Sequence, residues 1–332
     1  MAPALRRGLI VATPVAVAFL FDLELDFAAA GAISTGALLA GFVAFDAPAR
    51  TRMIWQLFCT PAIGLAAALG ALTGEPGWLA ALTMTVFASV AGLLVAVSPR
   101  AAVAGMTCVL ALLLAQGLEI SPSEAPEALL LGGAGALAQV LTSAVVALVE
   151  RTTEPVNPVA GTRSALRTVR ANLSLRSTSL RHALRWGTAL GLGVAAYHLI
   201  DVGRHGYWIP LTVLFVLRPA PDETVERIVM RAAGTVAGLA LATLLAAAVG
   251  HHPWADALVI GLTAAFAFAL LAIEYALFTA SITAFVVLVA HALGQSALQA
   301  ADQRAIATAI GIGIAAIAVV LWGSRDPRSR PA

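Results

Sequence analysis

The sequence predicts an all-α polytopic membrane protein: about twelve transmembrane helices in two parallel six-helix repeats, joined by a cytoplasmic amphipathic linker. Three observations predict it. The 332 residues are 60% hydrophobic and only 11% charged, with a mean hydropathy of +0.90, whereas soluble domains carry about 25% charged residues. Apolar runs recur at the length of a bilayer crossing, about 20 residues. The arginines gather in alternate loops.

The candidate spans follow in order. The first half holds 8–22, 27–45, 53–73, 77–97, 101–118 and 127–149. The second holds 184–200, 206–217, 228–250, 254–273, 275–293 and 304–322. The first and eighth are short, and the eighth either starts near Val202 or stays an incomplete span. Arg6 and Arg7 precede the first run as in a signal peptide, but "FLFDLELD" lacks the small-residue pattern of a cleavage site, so the run is read as a span.

All 20 basic residues are Arg. With the N-terminus cytoplasmic, the inner stretches hold Arg6, Arg7, Arg50, Arg52, Arg100, the linker arginines, Arg218, Arg227, Arg231, Arg325, Arg328 and Arg330. The outer stretches hold only Arg204 and Arg304, and carry acids such as Asp22, Glu24, Asp26 and Asp201. The positive-inside rule therefore places both termini in the cytoplasm.

A period of about 175 residues pairs Asp26 with Asp201, Arg52 with Arg227 and Thr60 with Thr235, and brings "EPGW" near "HHPW". Six spans per copy make the copies parallel, which leaves room for a cavity between them. The expected boundaries are a first repeat over 1–150, a linker over 151–183, a second repeat over 184–324 and a cytoplasmic tail over 325–332. In the linker Arg163, Arg167 and Arg170 recur at helical spacing among Leu166, Val169 and Leu173, as in a helix lying on anionic headgroups.

Several functions have no support. No Walker A motif, Ser-His-Asp arrangement or metal-ligand spacing occurs, so neither an enzyme nor a cofactor is expected. A formal net charge of +2 does not imply a nucleic-acid partner. Cys59 and Cys108 lie within apolar runs and read as small buried residues. The expected partners are the lipid bilayer and a small organic anion; a homo-oligomer is left open.

The stretch "GYWIPLTVLFVLRPAPDETVERIVMRAAGT" (206–235) carries the most information. Asp222 and Glu223 suit a helix N-terminus, and Glu223 to Arg227 is a favourable i,i+4 pair. Arg227, Arg231, Gly234, Thr235 and Gly238 then share one side of a helix, and Gly234 with Gly238 forms a G-x-x-x-G contact face. Arg227 fits an interfacial role. Arg231 lies deeper, where a charge costs about 2.5–3.5 kcal/mol even on the lenient insertion scale. It either snorkels or lines an anion pathway, as rings of Arg do in anion pores.

The aromatic pair, the Pro-containing loop and the Arg before Gly-Thr-x-x-Gly resemble the fusaric acid resistance protein-like family, also described as an integral membrane bound transporter domain. The resemblance rests on Tyr207, Trp208, Pro219, Pro221, Arg227, Arg231, Gly234, Thr235 and Gly238. It is clearest over 206–238 and extends by topology over 184–322. The first half is divergent, with Gln56 in place of the second Arg, Cys59 of the first Gly and Ile63 of the second. That family includes bacterial aromatic acid exporters and is similar to plant aluminium-activated malate channels. The resemblance implies a bacterial inner-membrane protein that exports aromatic or other organic carboxylates, with proton coupling as one drive. Arg231, Arg227, Thr235, Trp208 and Tyr207 would contact substrate. A passive anion channel and a non-transporting membrane scaffold are the alternatives.

Glu274 and Arg100 fall at near-equivalent places in the two copies. Opposite charges there could pair across the symmetry axis and couple transport to protons. His198 and His291 lie at outer span ends and read as interfacial residues.

Overall fold

In the computed structural model, the described residues are 8–10, 12–15, 17, 27–150, 158–200, 202–203, 205–249, 253–271, 273–292 and 294–323. The regular elements among them are all helical. We number twelve: α1 (Phe27–Phe42), α2 (Ala49–Thr73), α3 (Gly77–Gly92), α4 (Pro99–Gly117), α5 (Ala125–Glu150), α6 (Pro158–Ala171), α7 (Thr178–Leu199), α8 (Trp208–Val216), α9 (Pro221–Val249), α10 (Pro253–Leu270), α11 (Tyr275–Ala292) and α12 (Ala297–Gly323).

Local signals set these boundaries. Ser98 caps α4, its Oγ accepting from the Ala101 N–H at 3.1 Å, with Pro99 as the first helical residue. Glu124 accepts from the Ser121 N–H at 2.8 Å just before α5. Helix α9 opens on Pro221, with Asp222 and Glu223 in its first turn. The backbone N–H of Arg218 donates to Thr224 Oγ1 at 2.9 Å, tying the preceding loop to that turn.

Seven described helices are long and apolar enough to cross a membrane: α2, α3 with its 3-10 extension to Ala96, α4, α5 with the short turn before it, α9, α11 and α12. Helices α1 and α10 contain shorter apolar stretches. The expectation of about twelve spans is thus met only in part. Of the first expected span, 8–22, the described residues are 8–10, 12–15 and 17. The eighth shrinks to α8, whose 9 residues reach about 13.5 Å at 1.5 Å per residue, under half of a core about 30 Å thick. It stops where Arg218 precedes Pro219, a position that disfavours the α conformation. The seventh begins earlier than expected, at Thr178, inside the expected linker. The linker helix itself is present as α6.

In the first half, α5 packs on α1 and α2, and α4 on α2 and α3. In the second, α12 packs on α8 and α9, and α11 on α9 and α10. Helix α7 lies along α3, and Gly8 and Ala12 of the N-terminal segment meet α10 near Ala265. At the junction Phe42 packs tilted against Phe268, at 5.0 Å between centroids, and approaches Phe215 and Phe278 at 6.4 Å each.

Helix α9 is polar and small on its buried side, with Thr224, Arg231, Gly234, Thr235 and Gly238, and apolar on its exposed side, with Val225, Val229, Val236 and Leu244. A bilayer accounts for this inversion: the lipid-facing side needs no polar group, and the interior helix contacts favour small residues.

Candidate functional site

The site forms where α8, α9, α11 and α12 meet. Gly234 and Gly238 set the approach of α9 to α11. A Cβ at Gly234 would stand 2.4 Å from the Ala276 carbonyl oxygen, and one at Gly238 2.4 Å from that of Ala280. No side chain larger than hydrogen fits there. The contact brings Thr279 and Thr283 of α11 against this face of α9.

Arg231 is fully buried, 0% exposed, and Nε, Nη1 and Nη2 all lack a hydrogen-bond partner. Arg304 on α12 is also 0% exposed, with Nε and Nη1 unpartnered. No carboxylate among the described residues forms an ion pair with either. Each instead faces a ring: Arg231 Cζ lies 5.8 Å from the Phe215 centroid and Arg304 Cζ 5.1 Å from that of Trp208. A third cation, Arg227, sits 4.0 Å from the Tyr275 centroid. Tyr275 in turn donates to the Phe215 carbonyl at 3.4 Å.

Magnitudes decide what such a cavity favours. A cation–π contact contributes about 0.5–2 kcal/mol. Burying an unpaired ion costs several kcal/mol even after relaxation. The rings therefore do not offset the burial of Arg231 and Arg304, whereas an anion would.

The threonines add a second sign. Thr60, Thr85, Thr142, Thr188, Thr212 and Thr263 each donate to the carbonyl four residues earlier, as helix threonines commonly do. Thr235, Thr279, Thr283 and Thr308 are buried on α9, α11 and α12, and their hydroxyls have no partner.

The residues singled out from the sequence divide as follows. Arg227, Arg231 and Thr235 share one stretch of α9 beside Phe215 and Tyr275. Arg227 turns to Tyr275; no ion pair joins it to Glu223 among the described residues. Trp208 and Tyr207 stand at the other end of α8. Trp208 meets Arg304, and Tyr207 packs against Gly117 at the end of α4.

Glu274 and Arg100 do not meet. Glu274 accepts from the Leu277 N–H at 2.6 Å, capping α11, and Arg100 pairs with Asp46 at 3.5 Å. The coupling pair expected from the sequence is absent because both groups serve local helix-end and loop contacts. His198 lies 3.9 Å from Glu75, and His291 Nδ1 lies 3.3 Å from the Gln295 carbonyl oxygen. Asp22, Glu24, Asp26, Asp201 and the His251–His252 pair lie outside the described residues.

Arg304 is the residue that the sequence reading misplaced, as one of two arginines in outer stretches. Helix α12 begins at Ala297, so Arg304 is two turns inside it. A signal existed: "RAAGT" at 231–235 recurs as "RAIAT" at 304–308.

At the C-terminal end of α8, Arg185 is 5% exposed and donates through Nη2 to the carbonyls of Arg218 and Pro219. His182 Nδ1 lies 3.4 Å from the same nitrogen. Burial first, then the charges of Arg185 and Arg218, push His182 down to about 3. This imidazole is neutral and free to accept.

Residues 189–318 match the profile of the family described as fusaric acid resistance protein-like. The chain is 34% identical over 156 residues to the inner membrane protein YccS of Escherichia coli (strain K12), a stretch covering 47% of this chain and 21% of that protein. It is 35% identical over 77 residues to the uncharacterized protein ORF2 of Neisseria gonorrhoeae, covering 23% of this chain and 18% of that one. It is 36% identical over 69 residues to the uncharacterized protein slr1298 of Synechocystis, covering 21% and 9% respectively. The chain thus spans about a fifth or less of the length of these curated relatives. No solved structure matches it. The second half of this membrane protein, which carries Arg231 and Arg304, is thus similar to the fusaric acid resistance protein-like family.

Proposed function

We propose that the protein is a secondary transporter of the bacterial inner membrane that exports aromatic or other organic carboxylates. The observation that carries the reading is Arg231: fully buried, charged, and without a partner on any of its three guanidinium nitrogens. A planar two-donor fork of this kind matches a carboxylate. Aromatic rings on the same helices supply apolar surface for the rest of such a substrate. The similarity to an inner membrane protein of Escherichia coli supports the location.

The test is flux of benzoate by purified protein in liposomes, normalised to folded transporter. Arg231→Gln lowers flux, and Arg231→Lys recovers part of it, since Lys restores charge without the fork. Equal flux for all three would remove Arg231 from the mechanism. Collapsing an imposed proton gradient distinguishes an active exporter, whose flux then falls, from a passive anion channel, whose flux does not. One observation favours the channel: no carboxylate pairs with the site's buried arginines among the described residues, so no proton carrier stands out.

We also infer that the two halves are parallel copies of one six-helix unit, with both termini and the linker cytoplasmic. Support comes from the packing pairs. Helices α1–α5, α2–α4, α2–α5 and α3–α4 correspond in order to α8–α12, α9–α11, α9–α12 and α10–α11. Reporter fusions after Ala332 and near Gly161 report cytoplasmic signal in this layout; a periplasmic signal at either overturns it.

A further inference from the structure

Arg304 deepens the anion-site reading and rests on it. Trp208 and Phe215, the rings faced by Arg304 and Arg231, are seven positions apart on α8. That is about two turns, or ~10.5 Å along the helix. The two cations thus stand as successive rungs beside one buried helix. Each is followed one turn later by a threonine, Thr235 or Thr308, whose hydroxyl is unpartnered. Both arginines are inside the protein, and neither has an ion-pair partner among the described residues.

One carboxylate neutralises only one of them. A rung left empty keeps a buried unpaired guanidinium, at the cost of several kcal/mol that applied to the unloaded site. Full compensation needs two negative charges, one at each rung. We propose that Arg304 is a second anion-binding residue and that the loaded site holds two carboxylate groups at once. They come either from one ligand bearing both or from two monoanions. The four unpartnered threonine hydroxyls are the donors available between and beside the rungs.

The experiment uses the full chain in detergent and in liposomes, with benzoate as monoanion and terephthalate as dianion. Expected for the wild type is either two benzoates bound per chain or one terephthalate bound at least tenfold tighter than benzoate. The first outcome assigns a pair of monoanions and the second a single dianion. Arg304→Gln should reduce benzoate to one per chain or remove the terephthalate preference, while Arg304→Lys retains most of either. Both variants are compared at equal thermal stability with wild type, so that misfolding is not read as loss of binding. The proposal is overturned if wild type binds one benzoate without preferring terephthalate, or if Arg304→Gln changes neither stoichiometry nor preference. If Arg231→Gln still lowers flux in that case, the transporter reading survives and only the second rung is lost. If no variant at either position changes binding or flux, both fall.

Discussion

Helices α2 and α9, which the sequence period pairs, bury the same face and fill it with opposite chemistry. In α2 the buried positions include Arg52, Gln56, Cys59 and Ile63; in α9 the positions paired with the last three by the sequence period are Arg231, Gly234 and Gly238. Around α2 the first half closes its polar groups on one another, although Gln139 of α5, 0% exposed, has neither amide atom partnered. Arg52 Nε donates to Ser143 Oγ at 3.2 Å, Ser143 Oγ to Gln56 Oε1 at 2.7 Å, and Gln56 Nε2 to the Ala40 carbonyl at 3.1 Å. Thr60 donates to its own helix at 2.9 Å. The second half leaves Arg231 and Thr235 unpartnered. Where α12 carries Arg304, α5 carries no charge between Glu127 and Glu150. A satisfied network holds helices together; an unsatisfied one, kept at a cost in stability, is a place for something else to bind.

The sharpest way to break this comparison is to give α9 the side chain that α2 has. Gly238→Ile copies Ile63 into a contact where even a Cβ would stand 2.4 Å from the Ala280 carbonyl oxygen. It should abolish folded protein, costing about 3 kcal/mol or more, as read by monodisperse yield in detergent. Ile63→Val, by contrast, should cost only about 0.5–1.5 kcal/mol.

Next in size is a double dissociation. Arg231→Gln should lower normalised flux by about 10- to 100-fold, the loss of charge-assisted bonds worth about 1.5–3 kcal/mol, while thermal stability holds or rises because an unpaired buried charge is gone. Gln56→Ala should do the reverse. It strands the Ser143 hydroxyl and takes from the Ala40 carbonyl one of its two donors, the Val43 N–H remaining, costs about 1–3 kcal/mol of stability, and leaves flux per folded molecule unchanged. Flux and melting temperature measured on both variants check the pair. Should Gln56→Ala also reduce flux, the first half is no inert scaffold.

Much of this was legible in sequence. Composition gave the membrane class, and the spacing of Arg227, Arg231, Gly234, Thr235 and Gly238 gave the face that α9 turns inward, because helix periodicity is local. What was lost depended on where a helix starts. Placing the twelfth span at 304 rather than Ala297 turned a buried Arg304 into a loop residue. The Glu274–Arg100 pairing failed for another reason. Equivalence by repeat says nothing of distance, and each group had a nearer partner, the Leu277 N–H and Asp46. The short α8 was foreshadowed by its length, but nothing in the sequence said that all nine of its side chains would be buried.

The smallest expected effect compares the loops after α1 and after α8, which the period also pairs. After α1, Asp46 meets Arg100 at 3.5 Å with both side chains open to solvent, 67% and 42% exposed. Such exposed pairs contribute about 0–1 kcal/mol and weaken with salt, so Asp46→Asn should barely move the melting temperature. After α8, the loop carbonyls of Arg218 and Pro219 are held by Arg185, and neutral His182 sits against the same guanidinium. His182 falls from an ordinary 6.5 to about 3 in the folded chain. Between those values the unfolded chain binds the extra proton and the folded chain does not, so folding stability is retained above pH 6.5 and falls as pH drops below it. The melting temperature of wild type should therefore fall between pH 7.5 and pH 5, and that of His182→Gln should fall less, because Gln accepts from Arg185 without titrating. Identical pH profiles for the two would mean that His182 is protonated in place, and that the α8 loop tolerates a second cation beside Arg185.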